Sequence, residues 1–160
     1  MPVRCSFGLN GQETSVLSCE GFGPVQTFSG HGVGRDNPHD TAMEDVGPLP
    51  AGTYYLVNRQ SGGRVGWLRD WLGAHGYVST DHTKWFMLWN EHGGDTTFIQ
   101  GVKRGRFRLH PVGRRGLSEG CIAVVDPSEF DRLQRFIRTK SPTLWVPGST
   151  MKAYGTVEVR

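Results

Sequence analysis

Arg106-Phe107-Arg108-Leu109-His110-Pro111-Val112-Gly113-Arg114-Arg115-Gly116-Leu117-Ser118-Glu119-Gly120-Cys121-Ile122-Ala123-Val124 reads as a strand, a glycine-bearing loop and a second strand. Polar and apolar residues alternate over 106–110. Phe107 and Leu109 take one face, and Arg106, Arg108 and His110 the other. Ile122-Ala123-Val124 is a short apolar run of the kind a buried strand carries. The loop between them returns a cysteine toward a histidine eleven positions earlier.

Those residue types carry chemistry together. A thiol is a weak nucleophile until it becomes a thiolate, and a neighbouring imidazole can take its proton. Cys121 is the candidate nucleophile and His110 the candidate base. Ser118-Glu119-Gly120-Cys121 reads as a tight bend, in which Gly120 allows close approach of backbone and substrate. Backbone N–H groups at Gly120 and Cys121 are candidate donors to an oxyanion. Arg108 shares a face with His110, where it can hold a carboxylate as a fork or stabilise the thiolate. Ser118 can hydrogen-bond near the thiol or cap the bend, and Arg114 and Arg115 can meet substrate or water. On local spacing alone, a buried structural cysteine competes with the nucleophile.

Outward from this segment the chain reads as short strands. Asn10-Gly11 between runs 3–7 and 14–19 signals a hairpin with a two-residue turn. Further strands are expected at 25–29, 52–57, 85–89, 98–100, 143–146 and 156–159. Residues 30–50 form a long loop rich in Gly, Pro, Asn and Asp, a length usually tied to function. Ser29, Gly30 and His31 open it, either as a wall near Cys121 or as a solvated turn. Val65, Leu68, Trp71 and Leu72 have helical spacing, so a short helix is expected at 64–73. The clearest helix is 127–138: Asp126 suits the N-cap, Pro127 the first helical position, and Glu129 a capping box. Phe130, Leu133, Phe136 and Ile137 form its apolar stripe. Trp85, Phe86 and Trp89 can line a groove or fill a core.

Composition agrees with a mainly β fold. Gly and Pro number 23 and 9 in a chain of 160, too many for a helical bundle. The size suits one domain, 1–160. The net charge of +3 is mildly basic, and no basic run is long enough to argue for nucleic acid. No stretch approaches the ~20 apolar residues of a membrane span. The N-terminus lacks the apolar core of a secretory signal, so a protein made in the cytoplasm is expected. His75, His82 and His92 with Asp81 and Asp95 lack the tight spacing of a zinc site, and no metal or other cofactor is expected. Of three cysteines, Cys5, Cys19 and Cys121, at least one is unpaired. A two-residue turn at Asn10-Gly11 sets Cys5 opposite Val16 and puts Cys19 on the other face. Cys5 and Cys19 then read as small buried hydrophobes rather than a disulfide.

His110 followed by Ser118-Glu119-Gly120-Cys121-Ile122 resembles the active-site motif of the L,D-transpeptidase (YkuD-type) domain. Gly47-Pro48-Leu49-Pro50-Ala51-Gly52-Thr53-Tyr54 resembles that family's entry into a strand. Thr27-Phe28-Ser29-Gly30, Trp85-Phe86-Met87-Leu88 and Arg104-Gly105-Arg106-Phe107-Arg108-Leu109-His110-Pro111 are more similar to its DUF2778 group, the Tlde1-like type VI secretion effectors. The likeness runs roughly over residues 25–125. Glu119 stands where housekeeping members often carry His or Asn, and Ala123 where they carry Arg. Both departures point to the effector group.

The resemblance implies a YkuD-like β-sandwich with one or two short helices. It implies attack by Cys121 on the L,D amide between diaminopimelate and D-Ala in a tetrapeptide stem of peptidoglycan, with His110 moving the proton. Water then gives carboxypeptidase activity, and a D-amino acid gives exchange. Gly120, Ser118, Arg108, Ser29 and Glu119 are the expected oxyanion and substrate contacts. Secretion machinery and a cognate immunity protein are the implied partners, and the periplasm of a target bacterium the place of action. In this family a backbone carbonyl often orients the histidine, and no acid is named for that role. The alternatives are a housekeeping periplasmic L,D-transpeptidase, a papain- or NlpC/P60-like peptidase, and a non-enzymatic wall-binding module with an inert Cys121. Chain order argues against the peptidases, because His110 precedes Cys121 here.

Overall fold

A computed structural model of the chain describes residues 1–44, 46–58, 84–113 and 120–160. The helix expected at 64–73, together with His75, Asp81, His82, Arg114, Arg115, Ser118 and Glu119, lies outside the described residues.

The strands are β1 (Val3–Phe7), β2 (Ser15–Cys19), β3 (Gly23–Ser29), β4 (Gly52–Asn58), β5 (Phe86–Asn90), β6 (Thr96–Ile99), β7 (Val102–Gly105), β8 (Arg108–Pro111), β9 (Ile122–Val124), β10 (Leu144–Trp145), β11 (Lys152–Ala153) and β12 (Gly155–Val159). One α-helix, α1 (Pro127–Arg138), appears among the described residues, with two short 3-10 turns at Gly32–Gly34 and Pro38–Asp40. The mainly β fold with a short helix is as expected. The faces of the expected sandwich are continuous: β1-β12-β4-β5-β8-β9-β3-β2 close into a barrel. Two small hairpins, β6–β7 and β10–β11, stand outside it.

Alternation builds the barrel. β1 and β2 bury every second residue, and Val3, Cys5, Phe7, Leu17 and Cys19 all join the interior cluster. The same cluster takes Leu56, Phe86, Leu88, Leu109, Ile122, Val124 and Val157 from the other strands. Burial of such side chains stabilises by roughly 1.5–3 kcal/mol each before chain entropy is counted. The first and last strands run parallel, with Val3 opposite Gly155. A Cβ on Gly155 would lie 1.9 Å from the Val3 carbonyl oxygen, so only glycine admits this closure.

The helix follows its local code. The Asp126 carboxylate accepts from the Ser128 N–H at 2.9 Å, and those Ser128 hydrogen bonds hold its pKa below the ordinary value. Phe130, Leu133 and Ile137 turn into the barrel's interior cluster. Phe136 stays partly buried against the Phe22 ring at the β2–β3 turn.

Two expectations are corrected. Cys5 and Cys19 form a disulfide, with Cα atoms 4.0 Å apart. The connection between β1 and β2 is longer than a two-residue turn, and the register sets Cys5 opposite Cys19 and Phe7 opposite Leu17. The Glu20 N–H bonds the Arg4 carbonyl, which makes Cys5–Cys19 a non-hydrogen-bonded pair, the site of closest approach in an antiparallel ladder. The strand expected at 106–110 begins instead at Arg108 and runs to Pro111. Arg106 sits at φ +60, which breaks the alternation there.

Smaller differences follow from weak patterns. The 98–100 strand is Thr96–Ile99 with an unexpected partner, Val102–Gly105, and Leu144–Trp145 pairs with Lys152–Ala153.

Candidate active site

β8 and β9 lie side by side and parallel, with Leu109 opposite Ile122 and His110 opposite Ala123. Leu109, Ile122 and Val124 point into the barrel core, so Arg108, His110 and Ala123 share the other face. Cys121 immediately precedes β9, two residues before Ala123, which puts it on the His110 side. Cys121 thus stands at the start of the strand that neighbours β8.

His110 is fully buried, and its ring stacks on Trp85 with centroids 4.6 Å apart. Its Nδ1 lies 2.7 Å from the Pro111 carbonyl oxygen. A carbonyl only accepts, so Nδ1 carries a proton, and in the neutral ring Nε2 holds the lone pair. A backbone carbonyl therefore orients this imidazole. No side-chain pattern signals such a partner.

Cys121 takes no part in a disulfide and is 2% exposed. Its Sγ lies 3.8 Å from the Arg106 carbonyl oxygen. Gly120 before it has φ +109, a conformation open to glycine. A Cβ there would meet Arg104 Nη2 at 2.5 Å and the Phe107 ring at 2.7 Å. The turn is walled on that side.

Ser29 is fully buried and meets Gly120 directly. Its hydroxyl donates to the Gly120 carbonyl at 3.2 Å and accepts the Leu49 N–H at 2.7 Å. Its own N–H donates to Asp36 Oδ1 at 2.8 Å. Asp36, fully buried at φ +53, is pushed up to a pKa of about 7 by burial, against the pull of the Ser29 N–H and of Arg35. Sequence reading singled out Ser29 but not Asp36, whose position in a polar loop looks like a solvated turn.

Arg108 is buried and ion-paired with Asp95 at 2.9 Å. Its guanidinium also donates to the Phe107 carbonyl at 2.8 Å. Arg104, not singled out as a site residue, is the arginine that walls Gly120. His31 donates its N–H to the Val46 carbonyl, which anchors the start of the long loop. Trp85 and Phe86 belong to the core, while Trp89 is partly buried beside the second cluster, around Val57, Met87 and Val146.

Among the described residues no group of three or more His, Cys, Asp or Glu side chains is placed to hold a metal ion. Among them also, no helix is long and apolar enough to cross a membrane. The family model described as the Tlde1 domain matches residues 23–149, a span that contains β3, the long loop, His110, Cys121 and α1. No curated protein and no solved structure matches the chain.

Proposed function

This chain belongs to the Tlde1 domain family of type VI secretion effectors, and on that premise we propose that it is a cysteine acyl-transfer enzyme that disarms peptidoglycan tetrapeptide stems. The observation that carries the reading is the placement of His110 on β8 and of Cys121 just before the parallel neighbour β9, with the imidazole oriented by the Pro111 carbonyl.

The reaction begins when His110 Nε2 takes the Cys121 proton. The thiolate attacks the carbonyl of diaminopimelate in its amide to the terminal D-Ala. Backbone N–H groups at the Gly120–Cys121 turn receive the oxyanion, and the glycine lets the substrate carbonyl approach them. As the C–N bond breaks, the imidazolium gives its proton to the departing D-Ala nitrogen. A thioester remains on Cys121. Water resolves it to a tripeptide stem, which is L,D-carboxypeptidase chemistry. A free D-amino acid resolves it to an exchanged tetrapeptide. Either outcome removes donors for crosslinking and harms a growing wall.

Burial penalises each charge taken alone but strengthens the attraction between the two. A thiolate–imidazolium pair shielded from water feels fixed dipoles more strongly than one in bulk solvent. Ser29 acts here through Gly120 rather than on substrate. Arg108 has its charge engaged by Asp95, which favours a role in shaping the β7–β8 corner. Ser118 and Glu119 remain proposed contacts on the loop before the nucleophile. The reading also carries a cognate immunity protein, delivery by the secretion machinery and action in the periplasm of the target cell.

Mass spectrometry of purified tetrapeptide muropeptides tests this. The enzyme should release D-Ala, and added D-amino acid should divert product from tripeptide to exchanged tetrapeptide. Cys121→Ala should do neither, and full turnover by that variant would sink the mechanism.

A further inference from the structure

Two segments remote in sequence meet at the nucleophile turn. One is the far end of the long loop, and the other is β7. Arg104, on β7, is 3% exposed. Its guanidinium donates to the carbonyl oxygens of Thr41, Gly47 and Pro48, the last two at 2.9 and 3.3 Å. It lies over the Phe107 ring, 5.5 Å from the centroid. Its Nη2 lies where a side chain on Gly120 would begin, 2.5 Å from that imagined Cβ. A guanidinium stays charged at any pH the protein meets. A permanent cation therefore touches the residue that precedes Cys121.

We propose that Arg104 is a positioning residue of the thiol site, which clamps the 41–48 loop against Gly120 and biases Cys121 toward the thiolate. The proposal rests on the reading of Cys121 as nucleophile, but not on the identity of the bond it attacks. Two cations then act on one sulfur. His110 receives the proton, and Arg104 favours the charge that is left behind. A unit charge roughly one residue away, in surroundings of effective dielectric about 20, moves a thiol by roughly one to two pH units. The fork geometry explains why the residue is arginine. Its planar N–H groups satisfy several carbonyls at once while one edge faces Gly120, which a lysine ammonium does not reproduce.

The test reads the thiol directly, by the pH dependence of iodoacetamide alkylation of Cys121 in the full chain, with folding checked by near-UV circular dichroism. Arg104→Gln should raise the apparent pKa of alkylation by about one unit or more. Arg104→Lys, which keeps the charge, should stay within about half a unit of the parent while melting at a lower temperature. A folded Arg104→Gln protein with an unchanged pKa overturns the proposal and leaves Arg104 a structural clamp only. If Arg104→Gln does not fold, His110→Ala decides. With the imidazole gone, a thiol still below the ~8.5 of free cysteine supports Arg104, and one at or above it overturns Arg104. Muropeptide cleavage is scored separately. A shifted pKa without L,D cleavage sinks the proposed reaction and keeps Arg104, whereas cleavage with an unshifted pKa does the reverse.

Discussion

The Ser29 hydroxyl donates to the carbonyl of Gly120, 91 residues further along the chain, and the same oxygen accepts the Leu49 N–H. One buried side chain thereby joins β3, the end of the long loop and the turn that presents Cys121. A peptide unit is planar, so fixing the Gly120 carbonyl also fixes the direction of the Cys121 N–H.

Ser29→Ala should therefore damage both stability and turnover. It leaves a buried carbonyl and a buried N–H without this partner, at roughly 1–3 kcal/mol each, so a loss of about 2–6 kcal/mol is expected in urea denaturation. The freed turn should lower kcat by about tenfold or more, with KM changed far less, because a small misplacement of a reacting group is costly. Parental kcat in a folded Ser29→Ala protein would show that the turn is held by other means.

Asp36 makes stability depend on pH. Its folded pKa of about 7 stands above the ordinary aspartate value of 3.8, chiefly because burial penalises the charged carboxylate. The folded state thus holds the proton more tightly than the unfolded state. The stabilisation is fully present below about pH 4 and is lost as pH rises through about 7. A shift of this size corresponds to a few kcal/mol at most. Asn is tolerated at positive φ and keeps an oxygen for the Ser29 N–H, so Asp36→Asn should flatten this part of the curve. Denaturation midpoints of the two proteins from about pH 4 to about pH 8 supply the comparison, and parallel curves would remove Asp36 from the account.

The Cys5–Cys19 disulfide closes a segment of 14 residues, and chain entropy puts its contribution near 3 kcal/mol. A reductant, or Cys5→Ser with Cys19→Ser, should lower unfolding free energy by about that amount. Both residues lie in the barrel's interior cluster, away from the turn that carries Cys121. Cys5→Ser with Cys19→Ser should therefore keep Cys121 alkylation and D-Ala release near parental levels at low temperature. Equal denaturation curves with and without reductant would show that the bond is absent in solution.

The same hairpin shows where sequence reading stops. Asn10-Gly11 signals a tight turn, yet Asn10 spends its side chain locally, accepting the Gln12 N–H and donating to the Thr14 carbonyl. Long-range bonds from Leu9 to Arg160 and from Gly11 to Asp36 then hold the connection open. Tertiary contacts override the local turn code and shift the register, so the cysteines meet. The helix shows the opposite case. Asp126, Pro127 and the stripe at 130, 133 and 137 are local and mutually consistent, and its boundaries coincide with those expected. At the candidate site, His110 and Cys121 could be singled out because residue type and spacing are in the sequence. The resemblance implied a backbone carbonyl beside His110, but not that Pro111 supplies it, since a backbone acceptor has no letter of its own. Arg104 was hidden in a basic run where any of several arginines could have turned inward.

Gly120→Ala tests the wall around the nucleophile. At φ +109 an L residue is strained by on the order of 1–3 kcal/mol. The added methyl also meets two neighbours, Arg104 Nη2 at 2.5 Å and the Phe107 ring at 2.7 Å. The guanidinium is bound to three loop carbonyls, and Phe107 is 2% exposed within the core, so neither yields freely. Overpacking adds about 1–3 kcal/mol. Thermal melting should fall accordingly, and the cheapest relief is a turn that swings away from Arg104. Cys121 in the folded fraction should then alkylate more slowly near neutral pH, because the thiolate loses its cation. A Gly120→Ala protein with parental melting and parental alkylation would mean that the turn has room this geometry does not allow.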